Sequence, residues 1–201
     1  MSNIKKDDLG RLVYDLKRVG LEPIVIGGEA ISRTLACTAT KDLDFVVKSV
    51  EMGKLNRELR KMEEYKVKID ISPFGDIYTC ELQREDKTYK IHFIDQYDFT
   101  ISGSTNFYGF LEKEGSILYE TKYGPIRIAK PEVVIYTRLT INEWKQYIAK
   151  TVRDAKRIAK RNKRFDLNKV LEVAKVLGHD LKPIKERIAY LKERLKEENI
   201  E

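Results

Sequence analysis

Cysteine and histidine are scarce in this 201-residue chain, and long apolar runs are missing. Two cysteines, Cys37 and Cys80, cannot build a disulfide framework or a thiolate metal cluster, so a reducing cytoplasmic setting is expected. Two histidines, His92 and His179, leave no room for a histidine-rich zinc site. No stretch reaches the roughly 20 apolar residues of a membrane-spanning helix, and no membrane partner is expected. The first ten residues, MSNIKKDDLG, lack the apolar core and small-residue cleavage site of a secretion signal.

What the chain does have is 42% apolar residues, enough for a core in one domain or in a domain with a helical extension. Its net charge of +7 is unevenly placed. Residues 145–164 hold nine Lys or Arg against one acid, Asp154, a net of +8, which leaves the remaining chain at −1. One basic helix is thus attached to a near-neutral body. A face of that kind attracts phosphates, of a nucleotide or of an RNA backbone, although a solvated helix face looks the same in sequence.

Leu9, Leu12, Val13 and Leu16 recur at helical spacing, and Gly20 can close that helix. Residues 24–26 read as a short buried strand running into Gly27-Gly28. A short helix over 29–36 and a second strand over 43–47 follow. Ser49 can cap a helix bearing Leu55, Leu59 and Met62. Strand-like runs cover 66–71, 77–82 and 88–94, the last two joined by the charged turn Arg84-Glu85-Asp86-Lys87. A further hairpin is expected over 116–129, turning near Tyr123-Gly124-Pro125.

After Pro131 the pattern becomes helical. Trp144, Ile148, Val152, Ala155 and Ala159 form one apolar stripe. Asp166 can cap a helix carrying Val170, Leu171, Ala174 and Leu177 that stops at Gly178. Ile184, Ile188, Leu191 and Leu195 line a last amphipathic helix with Pro183 in its first turn. The expected fold class is α+β, a mixed sheet with flanking helices over 1–130, followed by a C-terminal helical bundle over 131–201.

Within this layout, residues 24–47 carry the chemistry. Asp42 and Asp44 stand two apart in a strand, so their side chains share a face. Carboxylates that close repel unless a cation lies between them, and Mg²⁺ is commonly held by one or two carboxylates together with substrate phosphates. Acids at a strand entrance are also ordinary surface residues. Gly27 and Gly28 fall at a strand-to-helix junction, where backbone N–H groups can approach a phosphate, or where a tight turn simply needs positive φ. Taken together, the two pairs place a phosphate cradle next to a metal site.

The stretches VIGGEAISR and TKDLDFVV resemble the nucleotidyltransferase superfamily that includes DNA polymerase beta. Its hallmark is a Gly-Gly or Gly-Ser pair at a helix start, an Asp-x-Asp strand and a third acid on a later strand. The Thr-Lys-Asp-Leu-Asp wording is most similar to the small prokaryotic branch containing AbiE-type toxins. The resemblance is carried by residues 24–47, and as far as about residue 95 by pattern alone. It implies Mg²⁺ (or Mn²⁺) on Asp42, Asp44 and a third acid, with an NTP as substrate. Asp95, at the end of YKIHFID, is the preferred third acid, and Asp70 in VKIDI is the alternative. His92 has the parity of Ile94 and is expected to face elsewhere, as a structural histidine. Gly27 and Gly28 would meet the β- and γ-phosphates, with Arg33, Lys41 and Arg138 as further phosphate contacts. Arg138, in KPEVVIYTRLT, stands where that branch carries a lysine, and Arg153-Asp154 resemble its Arg-Asp signature. Thr38 and Arg157 depart from the branch's pattern.

The implied activity is transfer of an NMP from an NTP to an acceptor hydroxyl, with RNA a candidate acceptor through residues 145–164. Two rivals come from other classes. One is a nucleic-acid-binding or regulatory protein on an inactive transferase scaffold. The other is a structural or toxin-neutralising partner using the last helix.

Overall fold

The computed structural model describes residues 6–35, 42–71, 77–95, 106–141, 144–161 and 165–197. The chain begins with α1 (Lys6–Arg18), β1 (Ile24–Ile26), α2 (Gly27–Leu35) and β2 (Asp42–Val47). Then come α3 (Ser49–Met52), α4 (Leu55–Leu59), β3 (Lys66–Ile71), β4 (Ile77–Arg84) and β5 (Lys87–Asp95). A short α5 (Phe107–Phe110) leads through a π-helical turn to β6 (Ser116–Tyr119) and β7 (Ile126–Ala129). The tail is helical: α6 (Pro131–Thr140), a 3₁₀ turn at Trp144–Tyr147, α7 (Ile148–Arg161), α8 (Asn168–Val176) and α9 (Leu181–Glu197).

Among the described residues, seven strands form one mixed sheet in the order β3-β4-β5-β2-β1-β7-β6. β1 is antiparallel to β2 and parallel to β7, while β2 is parallel to β5. Both expected hairpins are present, β4–β5 and β6–β7. Glu85 takes φ 54° in the first turn and Gly124 takes φ 98° in the second. The fold is α+β with C-terminal helices.

Central position explains the composition of β1. All three of its β-branched residues are buried, as a strand flanked by neighbours on both sides and covered on both faces requires. On β2 the odd positions Leu43, Phe45 and Val47 are buried completely, and the Phe45 and Phe93 rings meet with centroids 5.8 Å apart. Such a contact adds to burial, and Phe→Ala at either position would cost about 3–5 kcal/mol.

Two sequence expectations need correction. The single helix after Ser49 is two short ones, interrupted at Gly53-Lys54, and Met62 lies in the turn beyond them. Glycine is the weakest helix former available there after proline, and the break falls on it. On α7 the buried apolar residues are Val152, Ala155 and Ile158, whereas Ala159 is exposed. Asp154 is buried on this inward arc, turned toward α6.

α6 is buried along nearly its whole length, and it packs against α2, α7, α8 and α9. Its polar side chains are therefore placed at a cost. Thr137 and Thr140 donate to the carbonyls of Val134 and Thr137, each at 2.9 Å. At its C-terminus the Arg187 guanidinium donates to the carbonyl oxygens of Leu139 and Ile141, which a helix end otherwise leaves without partners. Among the described residues, no helix is long and apolar enough to cross a membrane.

Candidate functional site

β1 ends at Ile26 in register with Asp44 of β2, and the chain turns directly into α2 at Gly27. That direct turn needs a positive φ, and Gly27 has φ 72°. It also needs space: a Cβ on Gly27 would lie 2.1 Å from Asp44 Oδ2. The glycine and the aspartate are thus fitted to one another, with the carboxylate set beside the N-terminus of α2. Anionic charge is stabilised there by the unpaired N–H groups and the helix dipole.

The parallel β2–β5 register sets Asp42 opposite Lys90, Asp44 opposite His92 and Val47 opposite Asp95. Side chains of paired residues share a face. His92 therefore stands beside Asp44, and its Nδ1 lies 3.0 Å from Asp44 Oδ1. Asp95 takes the parity of Leu43, Phe45 and Val47, on the opposite face of the sheet. Sequence parity within β5 separates His92 from Asp95 correctly, but the neighbour brought to Asp44 is the histidine. Asp70 pairs with Thr79, which pairs with His92, so it belongs to the same row of the sheet. Its backbone is three strands from Asp44, about 14 Å at ordinary strand spacing. A shared ion with ligands at about 2 Å does not bridge that separation.

A cleft of about 420 Å³ opens over this row. Gly27, Gly28, Asp44, His92, Arg138 and Lys150 line it, with Ile26, Ile94, Ile141 and Tyr147 as apolar wall. Arg138 reaches it from α6. One of its terminal nitrogens, Nη1, donates to Asp154 Oδ2 of α7 at 2.5 Å, and both side chains are more than nine-tenths buried. The other, Nη2, is buried and has no hydrogen-bond partner among the described residues. A guanidinium nitrogen held out of water in this way is costly unless an acceptor arrives.

Of the remaining sequence candidates, Asp42 is exposed on the same face as Asp44, one pleat repeat or about 7 Å along the strand. Arg33 is directed to the fully buried Glu29, Nε to Oε1 2.6 Å, a helical i,i+4 pair. That arrangement makes its first role the neutralisation of a buried carboxylate. Lys41 lies outside the described residues. The arrangement gathers Gly27, Gly28, Asp44 and Arg138 into one cleft and adds His92, Thr137 and Lys150, which sequence reading did not assign to it.

A larger cleft, about 850 Å³, lies among α1, α3 and α4, away from these groups. Its buried acids are already committed. Asp15 accepts from Tyr65 Oη at 2.8 Å and from Arg84, while Glu58 is paired with Arg57 and Lys61 and titrates below the usual carboxylate range through those bonds. Burial raises the Glu51 carboxyl, although it accepts the backbone N–H groups of Lys48 and Glu22. These contacts fasten α1 and α3 to their surroundings, and size alone does not make that cleft the reactive one.

No protein-family model matches the chain, and no curated protein matches it in sequence. Among solved structures it is similar to an antigenic nucleotidyltransferase-like protein from Paracoccidioides brasiliensis, with a TM-score of 0.52 at 14% identity over 95% of each chain. It is also similar to the antibiotic-resistance factor ANT(2'')-Ia in solution, with a TM-score of 0.43 at 13% identity over 97% of each chain. The chain has the fold of a nucleotidyltransferase-like protein.

Proposed function

We propose that the protein is a metal-dependent nucleotidyltransferase that moves an NMP from an NTP to an acceptor hydroxyl. The observation that carries this reading is Arg138 Nη2, a buried cationic donor without a partner, in a cleft it shares with Gly27, Gly28 and Asp44. A triphosphate supplies the acceptors and the negative charge that such a nitrogen lacks. Within the superfamily, the Thr-Lys-Asp-Leu-Asp stretch favours the AbiE-type branch.

The donor set fits a Mg²⁺ or Mn²⁺ ion shared between protein and substrate. Asp42 and Asp44 offer oxygen ligands on one face, and among the described residues no group of three candidate ligands gathers into an all-protein cage. When bound, the ion would neutralise triphosphate charge and polarise the phosphorus under attack.

The protein's own groups orient the reactants. The N–H groups at the start of α2 face the phosphates, Gly27 and Gly28 letting the backbone approach closely. Arg138 binds a phosphate oxygen, and Lys150 adds charge at the rim. His92 fixes the Asp44 carboxylate by its hydrogen bond, leaving Oδ2 on the Gly27 side. The acceptor oxygen bonds to the α-phosphorus as the bond from that phosphorus to the β-phosphate oxygen breaks. Pyrophosphate leaves and the hydroxyl proton is released.

A second reading, a nucleotide-binding protein without transfer, draws on the β5 register, which offers Asp44 a histidine in place of a third carboxylate. Both are tested by incubating the protein with Mg²⁺ and α-labelled NTPs together with total RNA, cell protein and small metabolites. Label transfer that is lost in Asp44→Ala and kept in Asp70→Ala supports the transferase. Metal-dependent nucleotide binding without transfer selects the second reading. Absence of both overturns the two together.

A further inference from the structure

We infer that the acceptor is the end of a single-stranded polynucleotide, led into the cleft along the exposed face of α7; the acceptor role rests on the transferase reading above. At about 100° of rotation per residue, Lys150, Arg153, Arg157 and Lys160 fall within an arc of about 80° along one side of α7. They span about 15 Å at 1.5 Å per residue. Val152, Ala155 and Ile158 are buried on the other side and hold this stripe outward.

The single acid of α7 is withdrawn from that face. Asp154 points inward to Arg138 and also pairs with Arg157, Oδ1 to Nη1 3.7 Å, which leaves Lys150, Arg153 and Lys160 to carry the charge of the outer arc. The stripe is not an isolated patch, because its first member, Lys150, lines the same cleft as Gly27, Gly28 and Asp44. Next to it Tyr147 lines the cleft mouth with 43% of its surface exposed. A row of cations that tracks a backbone, ending at an exposed aromatic ring on which a base can stack, suits a single strand of any sequence. The arc carries no large apolar residue, as a membrane-surface helix would. Its junction with the phosphate cleft favours a phosphate chain over an acidic protein.

The test uses the full chain, fluorescein-labelled 12-nucleotide single strands of RNA and of DNA, and anisotropy over a range of salt. Wild type is expected to bind, with log affinity falling linearly against log salt. In Arg153→Gln/Lys160→Gln, which alters no cleft residue, the slope becomes shallower by roughly 1.4, about 0.7 for each phosphate no longer neutralised. Tyr147→Ala weakens binding roughly tenfold. Thermal shifts produced by Mg²⁺ and NTP remain as in wild type for the double variant. The RNA and DNA arms identify the sugar. Absence of oligonucleotide binding, an unchanged slope in the double variant, or equal retention by phosphatidylserine vesicles or polyglutamate overturns the inference. Oligonucleotide binding with a normal slope, in a wild type that takes up no NTP, leaves the α7 track standing and removes the transferase reading with its acceptor role.

Discussion

Gly27 abuts the carboxylate of Asp44, and any side chain at position 27 would collide with Oδ2. The same glycine has φ 72°, a region that L-residues enter at about 1–2 kcal/mol. Gly27→Ala is therefore expected to lose stability by that amount or more. It should also displace Asp44, weakening metal-dependent nucleotide binding about 100-fold. Gly124→Ala is the control, since φ is 98° there but no atom of the described residues lies within 4 Å of a Cβ. It should show the backbone cost alone. Urea denaturation and nucleotide titration separate the two effects.

The Arg138–Asp154 pair joins α6 to α7 inside the protein. Removing one partner leaves a buried charge uncompensated, and Arg138→Leu is expected to cost about 3–5 kcal/mol. In Arg138→Leu/Asp154→Leu most of that loss should be recovered. Nucleotide binding should not be, because the unpartnered Nη2 goes with the arginine. Recovery of both in the double variant would show the arginine to be only a structural partner.

His92→Ala should leave the fold intact, since the side chain is partly exposed, and should free the Asp44 carboxylate to rotate. Loss of 10–100-fold in Mn²⁺ affinity, read by electron paramagnetic resonance with a bound nucleotide, is the expected result. His92→Asn retains a side-chain donor near the Nδ1 position and should recover much of that loss.

Tyr136 and His179 are hydrogen-bonded to each other in the interior, tying α6 to the turn before α9. Burial holds the His179 imidazole below its ordinary range. The unfolded state therefore takes up a proton first as pH falls. Stability from this site is complete above about pH 6.5, the unperturbed histidine value, and is lost as pH drops below it. Thermal denaturation from pH 7.5 to 5 should show that decline, and it should flatten in His179→Leu. An equal decline in the variant would assign the pH dependence to other groups.

Much of the scaffold is legible because it rests on local patterns. The β-branched run into Gly27-Gly28, the turn residues of both hairpins and the apolar stripes of α1, α8 and α9 all appear at their sequence positions. The error over the neighbour of Asp44 has a different origin. Alternation within β5 tells which residues share a face of that strand, but not which face meets the face of β2. That depends on a register between strands more than forty residues apart, fixed by packing. Arg33 is another case. Glu29 four residues before it is a visible helical pairing signal, and the burial of Glu29 decides that this pairing takes the guanidinium. Asp154 gives less warning, since its inward position depends on a buried arginine on another helix.

Among the described residues the open sheet also has two edges. β3 presents Lys66 and Lys68, and strand-to-strand pairing with another copy would bring those charges against their counterparts. At the far side β6 has an exposed Ile117 and Leu118 and little charge of its own. What keeps that edge from templating a neighbouring chain is its length. Four residues offer too few unpaired backbone groups for a stable intermolecular ladder, so brevity guards one margin of the protein as charge guards the other.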